Sequence, residues 1–321
     1  MRGTTLFMLD RSDSRADPLS DVLSLLKPRN VSCGAINAGD TCIAFPAGLG
    51  VKCHAVTTGE AWLAVQGVDA PVHLAAGDCF ILPHGRAYQL ASDLTLPPVD
   101  YRTVLAGRLP GRITVWNGGG RATIVSATFL IEARHAGILF DILPSIAHVG
   151  AEADRTALRG ALHQMMKELG EPKPGSRLIV ENLATMVLIQ ALRAYAAQAG
   201  ADQVGWLFAL ADRQIGVAIG AMHDEPAQRW TVGALAVRAG MSRTSFALRF
   251  KSRVGATPMN YLTRLRMLLA SDRLLHSGDA ISIVAGALGY ESESAFSNAF
   301  KRELGCSPRR FVTGSSARAN D

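Results

Sequence analysis

The sequence predicts an α+β protein in three parts. These are a β-barrel within residues 1–150, a helical segment and linker over 151–222, and an all-α domain over 223–321 made of two helix-turn-helix units. Three observations lead there. Short alternating apolar stretches broken by Gly and Pro run from about Ile36 to Leu105, an Ala-rich stretch of helical period follows, and the tail repeats itself at an offset of 50 residues.

Composition sets the frame. At 321 residues and 48% hydrophobic the chain can bury two cores, and with 19% charged residues disorder is excluded as its main theme. No apolar run reaches the roughly 18–20 residues of a membrane span, and the first ten residues turn acidic too soon for a secretory signal. Five cysteines (Cys33, Cys42, Cys53, Cys79, Cys306) are odd in number and lack CxxC pairing. That argues against a disulfide framework or zinc ribbon and predicts a reducing, cytoplasmic setting.

The front half reads as strands: "VKCHAVTTG", "EAWLAVQG", "PVHLAAGD" and "CFILPHGRAYQLAS". Strands this short, spaced this closely, suggest a sandwich or a barrel with room for one small molecule. Val51, His54, Trp62, Phe80, Leu82 and Tyr88 are its candidate lining residues, a set that mixes pocket and core. A reactive thiol needs an electropositive, exposed setting, so Cys53 between Lys52 and His54 is the best candidate if oxidation is the signal. An Arg-x-x-x-Arg spacing at Arg11/Arg15 and Arg108/Arg112 resembles the clamp of PilZ-type cyclic di-GMP receptors, though the spacing also recurs at Arg155/Arg159 and Arg249/Arg253.

The middle segment carries a wide apolar stripe around Met186, Ile189 and Leu192 that must be covered, by the barrel or by a second subunit. "HDEPAQR" then reads as a linker.

The tail supplies the sharpest signal. Phe246/Phe296, Phe250/Phe300, Lys251/Lys301, Gly255/Gly305, Pro258/Pro308 and Ser242/Ser292 all recur at one offset, with Ala236/Ala285 and Gly240/Gly289 one residue short of it. Each copy fits helix-turn-helix. A small residue lies where helices cross, a turn Gly follows, Ser caps the second helix, and Phe at i and i+4 forms a buried stripe. Gly255 and Gly305 suit C-terminal caps, and the following Pro prevents continuation. Between the copies an 18-residue helix over 259–276 would span about 27 Å, near the ~34 Å between successive major-groove faces of B-DNA. Residues 230–321 hold 13 Lys/Arg and 6 Asp/Glu, a balance of +7 against +6 for the whole chain. All the excess positive charge thus lies in a segment suited to a polyanion.

These motifs identify the tail as similar to the AraC/XylS family DNA-binding domain, through "WTVGALAVRAGMSRTSFALRFK", "PMNYLTRLRM" and "LGYESESAFSNAFKRELGCSPRRF". The resemblance implies that the second helix of each unit is a recognition helix. Base-facing positions would be Thr244, Ala247 and Leu248 in the first unit and Glu293, Ser294, Ser297 and Asn298 in the second. Phosphate contacts would fall to Arg243, Lys251, Lys301, Arg302, Arg309 and Arg310, with Arg249 either a phosphate anchor or a solvated side chain. Leu248 departs from the pattern, since many members carry Arg there; a Leu can touch a thymine methyl but cannot bind guanine bidentately.

"DPLSDVLSLLKPR", "HAVTTGEAWLAV" and "AAGDCFILPHGRAYQL" resemble the cupin-type sensor found in many such regulators. A catalytic cupin needs clustered imidazoles and a carboxylate. Here His54 and Glu60 lack a His-x-His, Tyr88 stands where the last His would fall, and His73 and His84 read as surface or loop histidines, so neither metal nor other cofactor is expected. The implied protein is a non-enzymatic transcription regulator. It would be a cytoplasmic homodimer, commonly an activator, that binds promoter DNA, a small-molecule effector and RNA polymerase. The competing reading is a cupin metal enzyme with an accessory helical tail.

Overall fold

A computed structural model describes residues 17–107, 112–131, 143–150, 156–198 and 204–316. They form two compact units, one running from Leu26 to Ala211 and the other from Asp212 onward together with the amino-terminal helix up to Leu25.

That helix, α1 (Pro18–Leu26), starts at a Pro and is capped by Asp17, whose carboxylate accepts from the Ser20 N–H at 3.1 Å. Among the described residues ten strands follow: β1 (Arg29–Ala38), β2 (Cys42–Phe45), β3 (Val51–Val65), β4 (Val72–Ala75), β5 (Cys79–Leu82), β6 (Tyr88–Ala91), β7 (Pro98–Asp100), β8 (Ile113–Trp116), β9 (Ala122–Leu130) and β10 (Ala147–Val149). A short helix, α2 (Tyr101–Leu105), lies between β7 and β8.

Where the sequence suggests two strands, "VKCHAVTTG" and "EAWLAVQG", the chain makes one. The 15-residue β3 belongs to both halves of a curled sheet, pairing through Lys52–Ala55 with β5 and through Glu60–Val65 with β4 and β6. A register shift between Val56 and Thr58 against β9 bends it, and Gly59 completes the bend at φ +73°. A Cβ at Gly59 would stand 1.9 Å from the Arg121 carbonyl oxygen, so the position admits no other residue without moving backbone. The inner face is packed by Val56, Leu63, Leu74, Phe80 and Leu82.

Helices α3 (Thr156–Gly170) and α4 (Ser176–Ala197) pair with each other, and α4 lies on β1, β5 and β10. Alternate residues of β3 and β5 therefore lie under helix or inside the barrel, which is why their sequences read as nearly continuous apolar runs. The apolar stripe of α4 divides. Val187, Leu188 and Leu192 are buried, whereas Leu178, Ile179 and Met186 are exposed. By length and composition alone α4 could cross a membrane; much of its apolar surface is spent on these packing contacts. Helix α5 (Trp206–Ala209) closes this unit.

The second unit contains α6 (Arg213–Asp224), α7 (Val232–Arg238), α8 (Arg243–Val254), α9 (Pro258–His276), α10 (Ile281–Ala287), α11 (Glu293–Leu304) and α12 (Pro308–Ser316). Pro258 and Pro308 do more than forbid continuation. Each opens a new helix, behind the caps Thr257 and Ser307. The repeat therefore extends one helix further than the sequence reading took it. Phe250 meets Tyr261 edge-on at 5.9 Å as Phe300 meets Phe311 at 5.4 Å, each pair 11 residues apart and related by the same offset of 50.

Replacing Gly59 by Ala is expected to cost about 2 kcal/mol, from positive-φ strain together with the Arg121 contact. That is a fall in melting temperature of roughly 4–8 °C. Gly48→Ala, where a Cβ meets nothing within 4 Å, is the control for a thermal melt and should change it little.

Candidate nucleic-acid interface and ligand cavity

Helices α8 and α11 are built alike. Ser242 accepts from the Ser245 N–H at 3.2 Å and Ser292 from the Ala295 N–H at 3.2 Å, satisfying donors that each helix start would otherwise leave open. Gly255 (φ +80°) and Gly305 (φ +74°) end them in left-handed C-caps. Phe246, Phe250, Phe296 and Phe300 have no exposed surface, and their ring pairs stand 5.6 Å apart in both units. Burying that stripe turns the other face outward. Arg243, Thr244, Leu248, Glu293, Ser294 and Asn298 are exposed, with Ala247 and Ser297 half-buried beside them. Leu248, at 67%, is unusually bare for a leucine. Lys251, Lys301, Arg302, Arg309 and Arg310 are also exposed, and Arg302 spends part of its charge on Glu303 at 3.0 Å.

Arg249 is half-exposed, but its guanidinium is engaged within the fold. Its Nε donates to Asp212 Oδ2 at 2.9 Å and its Nη1 to Gln214 Oε1 at 2.9 Å. The buried Asp212 also caps α6 through the Gln214 and Ile215 N–H groups and faces Arg253 at 3.6 Å. One carboxylate thus ties α6 to α8.

The predicted linker is fastened down as well. The Arg266 guanidinium donates to the Pro226 and Gln228 carbonyls at 2.7 and 2.8 Å and stacks over Tyr290. Trp230 Nε1 donates to the Glu225 carbonyl at 3.0 Å, and Arg229 pairs with Glu291 at 2.7 Å. The Ala227 carbonyl oxygen comes so close to Gly289 that a Cβ there would lie 2.1 Å from it, whereas Gly240, its counterpart in the first unit, has nothing within 4 Å. Sequence reasoning missed Arg266, which reads there as one more basic residue on an amphipathic helix. It also missed the buried His223, whose Nε2 lies 2.9 Å from Tyr261 Oη and whose Nδ1 lies 3.3 Å from Asp21 of α1.

In the barrel unit a cavity of about 350 Å³ opens inside the curled sheet. Of the residues expected to line it, His54 and Tyr88 do. Phe80, Leu82 and Val51 do not; Phe80 and Leu82 are core, with Phe80 stacked on the His54 ring at 4.8 Å. Trp62 points outward, 39% exposed against His73, because its strand alternation places it opposite the buried Ala61 and Leu63. Lys52, Arg102, Phe45 and Tyr101 lie on the cavity instead.

His54 Nδ1 is 2.7 Å from Ser126 Oγ and its Nε2 3.1 Å from Tyr88 Oη. Burial first, and then the charge of Lys52, depress its pKa to about 3, so the ring is neutral at physiological pH. Burial likewise pushes the Tyr88 hydroxyl up and the Lys52 ammonium down.

The residues weighed for other chemistries do not converge. Glu60 pairs with His73 at 3.2 Å on the exposed side of β3, away from His54, and His84 donates to the Leu143 carbonyl at 2.8 Å. Among the described residues no group of three or more His, Cys, Asp or Glu side chains comes together. Cys53 is the reverse of a reactive thiol. It is buried 4.0 Å from Cys79 Sγ, and that contact together with burial pushes it well above the ordinary thiol range. Of the candidate cyclic di-GMP clamp, Arg11, Arg15 and Arg108 lie outside the described residues, and Arg112 is an exposed residue just before β8.

Comparison with known proteins meets this geometry at both ends. The family described as Cupin matches residues 17–197, and the Helix-turn-helix domain family matches 235–314. A putative AraC-like transcription regulator of Streptomyces lividans is 39% identical over 294 residues, covering 91% of this chain and 96% of that protein. The HTH-type transcriptional regulator AlkR of Acinetobacter baylyi is 30% identical over 80% of this chain and 86% of its own. The DNA-binding domain of AdpA, solved in complex with a target DNA, is 35% identical and covers 33% of this chain and 95% of that one, at a TM-score of 0.31. A cupin fold followed by twinned helix-turn-helix units defines a DNA-binding regulator rather than an enzyme. The chain belongs to the AraC-like family of transcriptional regulators.

Two outcomes follow. Arg249→Ala should destabilise the second unit by about 1–2 kcal/mol, since it strips a partner from buried Asp212, while the salt dependence of DNA binding stays unchanged. A phosphate contact would instead lower the salt slope. Buried neutral His54 cannot take up the proton that it accepts when unfolded near pH 6.5, so it contributes stability above that pH and loses it as pH falls toward 3. The loss approaches roughly 1.4 kcal/mol per pH unit across that window. Melting of His54→Gln between pH 7 and pH 5 should show a shallower decline than the parent.

Proposed function

We propose that α8 and α11 enter two consecutive major-groove segments on one side of a promoter, under the control of a small molecule held in the barrel cavity. The observation that carries this reading is the duplication itself. Two helices share caps, a buried Phe pair and an outward polar face, on a segment that holds all the excess positive charge of the chain. Helix α9 packs against both and, at 19 residues, is a rod of about 28 Å, in keeping with the ~34 Å groove repeat. Base readout falls to the exposed ends of the two faces, Thr244 and Leu248 on one and Ser294 and Asn298 on the other, with Ala247, Glu293 and Ser297 flanking them. Lys251, Lys301, Arg309 and Arg310 hold phosphates, as do Arg243 and Arg302.

The wider reading is a cytoplasmic homodimer that activates transcription through RNA polymerase. The exposed Leu178, Ile179 and Met186 of α4 support a subunit contact there. An effector acts by binding the DNA-competent and incompetent states unequally.

Sites selected by the full chain from a random DNA pool provide the test. Arg309→Ala should weaken binding to every sequence and reduce the salt slope by about 1, whereas Asn298→Ala should cost roughly 1–3 kcal/mol at a single base position and spare non-specific binding. Equal losses of Asn298→Ala on selected and random DNA would overturn the assignment of that face.

A further inference from the structure

The geometry points to a small aromatic carboxylic acid as the class of molecule that the barrel cavity accepts; this rests on reading that cavity as an effector site. Charge is the first reason. Lys52 and Arg102 both line the cavity, and no Asp or Glu among its described lining residues opposes them. Lys52 Nζ is held at 3.3 Å by the Leu49 carbonyl and at 3.4 Å by the Thr128 hydroxyl, both neutral acceptors. A half-buried ammonium whose hydrogen-bond partners among the described residues are both neutral is poorly compensated, and an anion brought to it replaces the hydration it has lost. Asp100 neighbours Arg102, but its Oδ1 accepts from the Arg102 backbone N–H at 2.7 Å as the cap of α2. The Arg102 guanidinium is exposed at the mouth, where it lies 5.8 Å from the centre of the Tyr101 ring and feels the attraction of Asp100, and its outward N–H groups can meet a carboxylate in two-pronged fashion. His54, neutral and engaged on both ring nitrogens, adds no charge of either sign.

Shape is the second reason. Phe45 is stacked between Tyr88, at 4.5 Å and 5° between planes, and Tyr101, at 5.5 Å and 26°. Three stacked rings offer a neighbour a row of ring edges, against which the face of another ring packs edge-to-face better than a branched aliphatic body does. The volume of about 350 Å³ sits near the lower end of small-molecule sites, roughly 300–1,000 Å³, which favours one ring over a dinucleotide. Lys52 is on β3 and Arg102 on α2, so a single anion engaging both would tie the sheet to the helix at the cavity mouth.

Isothermal titration of the full chain with benzoate, phenylacetate and cinnamate, each beside its primary amide and with octanoate as the ringless acid, tests the class. At least one aromatic acid should bind ten-fold or more tightly than its amide and than octanoate. Lys52→Gln and Arg102→Gln should each remove ten-fold or more of that affinity while leaving amide binding alone, with circular dichroism and melting confirming that both variants fold. Equal binding of acids and amides would sink the anion assignment and leave the effector cavity standing. Acid binding indifferent to both substitutions would place the ligand elsewhere. Heat and melting signals flat for every probe would overturn the class and the cavity reading together.

Discussion

The DNA-facing half of the molecule depends on one constraint, that four phenylalanines be fully buried in pairs one helical turn apart. A helix with Phe at i and i+4 has a single stripe to hide, and hiding it fixes the rotation of the whole helix about its axis. Once Phe246 and Phe250 are inside, Thr244 and Leu248 point out; once Phe296 and Phe300 are inside, Ser294 and Asn298 do. Caps at both ends then fix the lengths of α8 and α11 at 12 residues each. Neither the bases nor the phosphates enter this argument. The presented surface is a by-product of core packing, so the same scaffold can carry different outward residues, such as the exposed Leu248, at little cost to the fold.

Much of that was legible because each signal was local. A Ser three residues before a satisfied N–H, a Gly that ends a helix and a Phe at every fourth position all act within one turn of the chain, and duplication lets each copy vouch for the other. The parts that were not legible are those decided at long range. Arg249 has the residue type and the position of a phosphate anchor; only the fold brings Asp212, 37 residues earlier, to within 2.9 Å of it. The segment before Trp230 has the composition of a linker, and it is the Arg266 side chain, some 40 residues away in sequence, that satisfies its carbonyls. In the barrel, Trp62 and Phe80 look equally fit to line a pocket. Strand parity separates them: Trp62 lies on the solvent side, while Phe80 faces inward but is covered by the His54 ring that does reach the cavity.

Strand parity also says how the barrel unit can respond to what it holds. On β3 the inward His54 sits between the outward Cys53 and Ala55, and the outward pair is buried as deeply as the inward one. On β9 the inward Ser126, which lines the cavity and holds His54, sits between the outward Val125 and Ala127 in the same way. A sheet buried on both faces has no slack side. An inward side chain that shifts to admit a ligand displaces backbone whose next residue is already in van der Waals contact on the other face. The same curled sheet carries α4 on β1, β5 and β10, and that helix presents Leu178, Ile179 and Met186 on its exposed side.

The chemistry of the cavity gives such a response its sign. With His54 neutral, Lys52 is a charge on the cavity wall whose hydrogen-bond partners among the described residues are a strand hydroxyl, Thr128, and a loop carbonyl, Leu49. An arriving anion competes with both for the ammonium protons, and a neutral molecule of the same size competes with neither. Filling the cavity with apolar volume alone would therefore press on its walls and leave the Lys52 contacts intact, while a charged ligand would also redraw the hydrogen bonds joining β3 to β9 and to the loop before it. Only the second adds a contact present in one state and absent in the other, which is what an effector needs in order to shift an equilibrium rather than merely occupy a space.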